Sequence, residues 1–121
     1  MSSIKLMLAD DDDLLSALLD YRLKKAGYDV TVCTDGKNVK SYLETNRPDV
    51  IVTDIMMPYF SGLEITDYVR NELKLKIPII ILSSAGNEEN VLSAFKLGAN
   101  DFLSKPVSPA ELLLRLKKEL G

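Results

Sequence analysis

Behind Arg47-Pro48 the chain reads Asp49-Val50-Ile51-Val52-Thr53-Asp54 and continues Ile55-Met56-Met57-Pro58. Four apolar or β-branched residues run without a break and stop at a single acid. So short an unbroken run, with proline on either side, reads as a strand buried on both faces. A carboxylate at the carboxyl end of such a strand stands on the rim of the sheet, where open α/β folds bind their ligands. Asp54 is therefore either a rim group with chemistry to perform or a plain strand terminator, and the rest of the chain has to choose between the two.

The same grammar repeats on both sides. Ile4 to Ala9 reads as a first strand and ends in four consecutive acids, Asp10 to Asp13. Leu14 to Ala26 follows as a helix that Gly27 stops. Val30 to Cys33 is a second strand, and Asp35-Gly36 turns into a short helix with Val39, Tyr42 and Leu43 on one face. After the third strand, Pro58 to Gly62 is a loop and Leu63 to Leu73 a helix. Pro78 opens a fourth strand through Leu82 that ends at Ser83-Ser84, and a helix from about Asn87 to Leu97 is stopped by Gly98. Asp101 to Leu103 is a short fifth strand. Ser108-Pro109-Ala110-Glu111 has the pattern of a capping box with proline at the first helical position, and Leu112, Leu113, Leu116 and Leu120 line one side of the helix it opens.

Strands alternating with helices mean a parallel sheet covered on both faces. Right-handed crossovers leave few topologies. The expected fold is α/β: a flavodoxin-like, doubly wound sheet of five parallel strands in the order 2-1-3-4-5 with five helices. The 121 residues suit one domain over 1–121, with no repeat, linker or room for a second.

Composition removes several function classes. There is no histidine, so a histidine base, a Ser/His/Asp triad and an imidazole metal ligand are excluded. Net charge is −3 without a basic cluster, so direct nucleic-acid binding by this chain is not expected. No apolar run approaches the roughly 18–20 residues of a membrane span, and no secretion signal is visible. The single cysteine, Cys33, lies in a strand pattern and reads as a small core residue. These features favour a cytoplasmic protein.

In a parallel sheet all carboxyl ends share one rim. The neighbouring first and third strands bring Asp10, Asp11 and Asp54 together; the fourth brings Ser83, and the fifth directs Lys105 towards them. Carboxylates about 5 Å apart repel by roughly 3 kcal/mol per pair at an effective dielectric near 20. Positive charge is needed among them, and an all-oxygen donor set suits Mg²⁺. The plainer reading is that acids at a helix N-terminus only cap it, which Asp12 or Asp13 can do. Capping alone does not call for four acids, nor for Asp54 at the adjacent strand end.

Taken together, Leu8-Ala9-Asp10-Asp11, Thr53-Asp54 with Met57-Pro58, Ser83-Ser84 and Lys105-Pro106 resemble the receiver domain of two-component response regulators, in order and spacing along the whole chain. The resemblance implies that Asp54 accepts a phosphoryl group from a phosphohistidine of a sensor histidine kinase or phosphotransfer protein. It implies Mg²⁺ held by Asp11 directly, by Asp10 through water, by Asp54 and by the main-chain carbonyl of Met56. Lys105 would pair with phosphoryl oxygens, Ser83 would hydrogen-bond one of them, and the Lys105-Pro106 bond would be cis. Ser83 and Phe102 would form a switch remodelling the face of the fourth helix, fifth strand and fifth helix. A phosphorylation-dependent dimer is open to such a domain, while its kinase and output stay unnamed. The domain would promote its own phosphorylation and slow dephosphorylation without being a conventional turnover enzyme. The segment from Ser108 to Arg115 also resembles the last helix of receivers joined to winged-helix domains, although Lys96 is the only basic residue of the preceding helix.

Met56 and Ala85 occupy the positions that, by the same resemblance, flank the approach of a hydrolytic water. Neither side chain orients a water, and methionine is long enough to lie over a phosphoryl group, so slow loss of the phosphoryl group is expected. The competing enzymatic reading is a haloacid-dehalogenase-type phosphatase with Asp10 as nucleophile, suggested by the Asp-x-Asp spacing of Asp10-Asp11-Asp12. A flavin- or nucleotide-binding module would need N–H groups rather than acids after the first strand.

Overall fold

The computed structural model describes residues 3–84 and 88–121. Its elements are β1 (Lys5–Ala9), α1 (Asp13–Lys25), β2 (Asp29–Cys33), α2 (Gly36–Thr45), β3 (Val50–Asp54), α3 (Gly62–Asp67) with a π-helical continuation (Tyr68–Glu72), β4 (Ile79–Ser83), α4 (Glu88–Leu97), β5 (Asp101–Ser104) and α5 (Pro109–Leu120). The strands form one parallel sheet in the order β2-β1-β3-β4-β5, as the alternation predicts. Every residue of β3 is buried, which is what its unbroken apolar run requires.

Because side chains alternate across the pleat, the strands feed two separate cores. Leu6, Leu8, Val50, Val52, Ile80 and Leu82 meet α1 and α5 through Leu19, Leu23, Leu112 and Leu116. Met7, Ile51, Ile79 and Ile81 meet α2, α3 and α4 through Val39, Leu43, Ile65 and Ala94. Cys33 belongs to this second core, and burial with the nearby Asp35 raises its thiol pKa to about 11, so it is a packing residue.

Two local expectations are corrected. Ser108 caps α5 by accepting from the Glu111 N–H at 3.3 Å, but the reciprocal arm of the box is absent. The Glu111 carboxylate instead takes Arg115 Nη2 at 3.2 Å. A complete capping box stands at α3, where Ser61 and Glu64 exchange bonds of 3.1 and 3.2 Å. The third helix also widens into a π turn closed by Leu73 N–H donating to Tyr68 O. From that turn Arg70 donates to Leu75 O nearby and to Gly98 O and Asn100 Oδ1, both far away in sequence. The fourth helix begins at Glu88, and the predicted start at Asn87 lies outside the described residues. Among the described residues no helix is long and apolar enough to cross a membrane.

Candidate functional site

Parallel register carries the chemistry to one rim. Pairing of Leu6 with Val50 and Ala9 with Thr53 sets Asp10 beside Asp54, the next residue of each strand. Leu82 pairs with Asp54 and Ser83 with Ser104, so Lys105 leaves β5 just beyond Ser83 and donates its N–H to Ser83 O at 2.8 Å. The Lys105-Pro106 bond is cis, as the resemblance implies.

Asp10 is fully buried and held from three sides. Its N–H donates to Cys33 O at 3.1 Å, its carbonyl accepts the Ser16 hydroxyl at 3.1 Å, and its Oδ1 accepts the Asp12 N–H at 2.8 Å. Asp12 itself is the N-cap of α1, with Oδ1 accepting from Leu15 N–H at 3.1 Å. Of the four acids, Asp12 caps the helix, Asp13 sits in its first turn, and Asp10 and Asp11 lie beside Asp54. The phosphatase alternative is not favoured, because the second acid of its Asp-x-Asp pair is committed to the helix.

Asp10, Asp11 and Asp54 each offer a carboxylate oxygen within 4.8 Å of the others, with Asp10 and Asp54 buried and Asp11 exposed. The Lys105 ammonium lies 3.0 Å from Asp10 Oδ2 and 3.3 Å from Asp54 Oδ2. Asp10 Oδ2 receives no directed hydrogen bond, so its contact with the ammonium is an ion pair only. A buried carboxylate oxygen whose one close cation is an ammonium shared with Asp54, near two more carboxylates, suits a hard cation with oxygen ligands. Burial raises the Asp54 pKa, the Asp10 charge raises it further, and Lys105 together with the Met56 N–H opposes them. Burial lowers the Lys105 pKa, but Asp10 and Asp54 more than offset it and the net shift is upward. Each group thus carries the signature of like charges held close by one ammonium.

Ser83 ends β4, fully buried. Phe102 on β5 is half-buried against the core under α2 to α4. Met56, two residues beyond Asp54, is 69% exposed. Ala85 lies outside the described residues. Beside the acids, Asp12, Leu15, Leu18, Ser84, Lys105, Pro106 and Val107 line a groove of about 490 Å³. Two glycines went unremarked in the sequence as site residues. A Cβ on Gly62 would fall 2.4 Å from Asp54 O, and one on Gly36 would fall 2.0 Å from Phe60 Cβ in the loop after Asp54. Asp35-Gly36 was legible only as a turn; nothing local announces the long-range contact.

A rim of this kind, acids from two neighbouring strands bridged by a lysine just beyond the last, agrees with what the resemblance to receiver domains implies. The model of the response regulator receiver domain matches residues 6–117, and the chain belongs to that family. It is 37% identical over 113 residues to the alkaline phosphatase synthesis transcriptional regulatory protein PhoP of Bacillus subtilis (strain 168), a match covering 93% of this chain and 47% of that protein. The chain therefore spans about half the length of this curated relative. Among solved structures, the receiver domain of the Francisella response regulator 1452 shares 36% identity at a TM-score of 0.89, over 96% of this chain and 95% of that one. The chemotaxis response regulator CheY4 of Vibrio cholerae shares 30% identity at a TM-score of 0.89, over 97% of this chain and 98% of that one. The chain is thus a receiver domain of two-component signalling, not a conventional enzyme.

Proposed function

We propose that residues 1–121 act as a single receiver domain in which Asp54 is the phosphoacceptor. The observation that carries this reading is the Lys105 ammonium shared between Asp10 Oδ2 and Asp54 Oδ2 at the carboxyl edge of the sheet. The donor is a phosphohistidine on a sensor histidine kinase or phosphotransfer protein, which fits a chain without histidine. Asp54 supplies the nucleophilic oxygen; its carboxylate displaces the histidine nitrogen from phosphorus and becomes an acyl phosphate. Phosphoryl transfer asks mainly for positioning and neutralisation of spreading negative charge. Lys105 provides the second by turning from the carboxylates to the incoming oxygens, and Ser83, at the end of the adjacent strand, offers a hydroxyl to one of them.

Asp10, Asp11, Asp54 and the Met56 carbonyl would hold Mg²⁺, whose contribution is to neutralise phosphoryl oxygens. The domain promotes its own phosphorylation from small phosphodonors, loses the group slowly, and works in the cytoplasm. Its readout is the α4–β5–α5 face, altered through Ser83 and Phe102; a phosphorylation-dependent dimer is one form such a readout takes. The test is incubation with a small phosphodonor and Mg²⁺ followed by intact mass measurement. One phosphate should be added to the parent and none to Asp54→Asn. Undiminished labelling of that variant would refute the assignment.

A further inference from the structure

We propose that the first turn of α2 braces the phosphorylation site, with Gly36 a positioning residue for the Asp54–Met56 backbone. The inference rests on the phosphoacceptor role of Asp54. Between β3 and α3 the chain passes through residues 55–61 without regular structure, so other contacts must set where the Met56 peptide lies. At one end Gly62 N–H donates to Ile55 O at 2.9 Å, closing the loop on itself. At the other side stands α2. Gly36 N–H donates to Pro58 O at 3.1 Å, and the backbones of Gly36 and Phe60 touch so closely that a Cβ would meet Phe60 N at 2.5 Å and Cα at 2.6 Å. Glycine is required here by proximity.

The same turn grips the loop through side chains. Lys37 Nζ lies 4.3 Å above the ring of Tyr59, a bulky residue held at φ 72°. A tyrosine in the left-handed region persists only where its surroundings hold it there. Phe60 meets Tyr68 edge-on at 5.8 Å, and Lys40, one turn along α2, lies 5.6 Å from the Tyr68 ring. Two side chains of the loop, Tyr59 and Phe60, and one backbone bond thus answer to α2 or to what α2 touches. A displacement of α2 passes into the loop that follows Asp54.

The test begins with Gly36→Ala. Helix propensity alone favours alanine over glycine in α2, so a loss is diagnostic. Without metal, the amide resonances of Ile55 and Met56 should shift relative to the parent. With Mg²⁺ alone as probe, the dissociation constant should rise about five-fold or more. Gly27→Ala is the control: Gly27 has φ 102° and nothing within 4 Å of a Cβ, so the variant loses stability without touching the loop. Its Mg²⁺ affinity should stay within two-fold of the parent. If Gly36→Ala folds with parental Ile55 and Met56 resonances and affinity within two-fold, the proposal is overturned. It is equally overturned if Gly27→Ala weakens binding as much. Should Gly36→Ala fail to fold, Phe60→Gly removes the Cβ and ring on which α2 bears, and must shift the same amides and weaken binding; a parental response overturns the brace. A parent that binds no Mg²⁺ refutes the phosphoacceptor reading instead, while the metal-free amide shifts still decide the brace.

Discussion

Replacing Lys105 by methionine keeps most of the side-chain stem and removes the only ammonium within ion-pair distance of the buried acids among the described residues. At an effective dielectric near 20, charges 3.0 and 3.3 Å apart attract by roughly 5 kcal/mol each, and carboxylate oxygens within 4.8 Å of one another repel by about 3.5 kcal/mol or more per pair. The attractions are gross figures. Desolvation of the ammonium and the ordering of a long side chain oppose them. Removing one member of a buried ion pair costs about 3–5 kcal/mol, and the Lys105 side chain keeps 18% exposure, so the lower end applies. Lys105→Met should lose about 3 kcal/mol at pH 7 without divalent ions, or roughly 10 °C in Tm for a domain of this size.

The pH dependence of that loss has a definite sign. The folded-state pKa of Asp54 is raised by burial and by Asp10. The folded state therefore binds more protons than the unfolded chain between the ordinary aspartate range and the raised value, and the contribution of Asp54 to stability falls as pH rises through that window. Without Lys105 the shift grows, so the deficit of the variant should shrink as pH falls through the same window. The lysine's own pKa is raised, so its contribution is complete below the ordinary lysine range and is lost only as pH climbs through the raised value. Urea unfolding at pH 5 and pH 7, with and without Mg²⁺, measures all of this, and Mg²⁺ should stabilise the variant more than the parent because it meets repulsion that no ammonium relieves. A loss under 1 kcal/mol at pH 7 (a small figure on the scale above), or equal Mg²⁺ responses, would show that Lys105 is not what holds the carboxylates together.

Two further outcomes concern the modified protein. Phosphorylation should move the Phe102 amide resonance, and Ser83→Ala should blunt the movement; identical spectra would refute the switch. Met56→Asn combined with Ala85→Glu should shorten the life of the phosphoryl group with Mg²⁺ present, since both new side chains can orient water; equal or slower decay would show that these positions do not gate it. Because Met56 is 69% exposed here, the shielding part of that expectation requires its side chain to fold over after phosphorylation.

The rim was legible because its assembly needs no knowledge of side-chain packing. A short apolar run followed by a polar residue marks a carboxyl end, and parallel pairing collects every such end on one edge. Asp10, Asp54, Ser83 and Lys105 were all placed by that rule, and the parallel register from Leu6–Val50 to Ser83–Ser104 accounts for their meeting. One carboxylate at a strand end is unremarkable; three with oxygens within 4.8 Å of one another, two of them paired with one lysine, weigh against the plain terminator reading of Asp54.

What stayed hidden depends on competition between partners distant in sequence. Ser61-Gly62-Leu63-Glu64 and Ser108-Pro109-Ala110-Glu111 carry the same Ser-x-x-Glu pattern, yet only the first closes as a box. The difference is Arg115. It is anchored by Asp101 on β5 at 2.7 and 2.8 Å, and from there it claims the Glu111 carboxylate that would otherwise turn back to the cap. A charged pair outbids a neutral N–H for the same oxygen, and no reading of the four residues alone could supply the rival. The loop after Asp54 follows the same logic. Its course is set by Gly36, Lys37 and Tyr68, none of them adjacent in sequence, so the acid was readable from the strand while the geometry of the Met56 peptide beside it was not. In this domain the identity of the proposed phosphoacceptor is a property of one strand, and the precision with which it is presented is a property of the elements packed around the loop that follows.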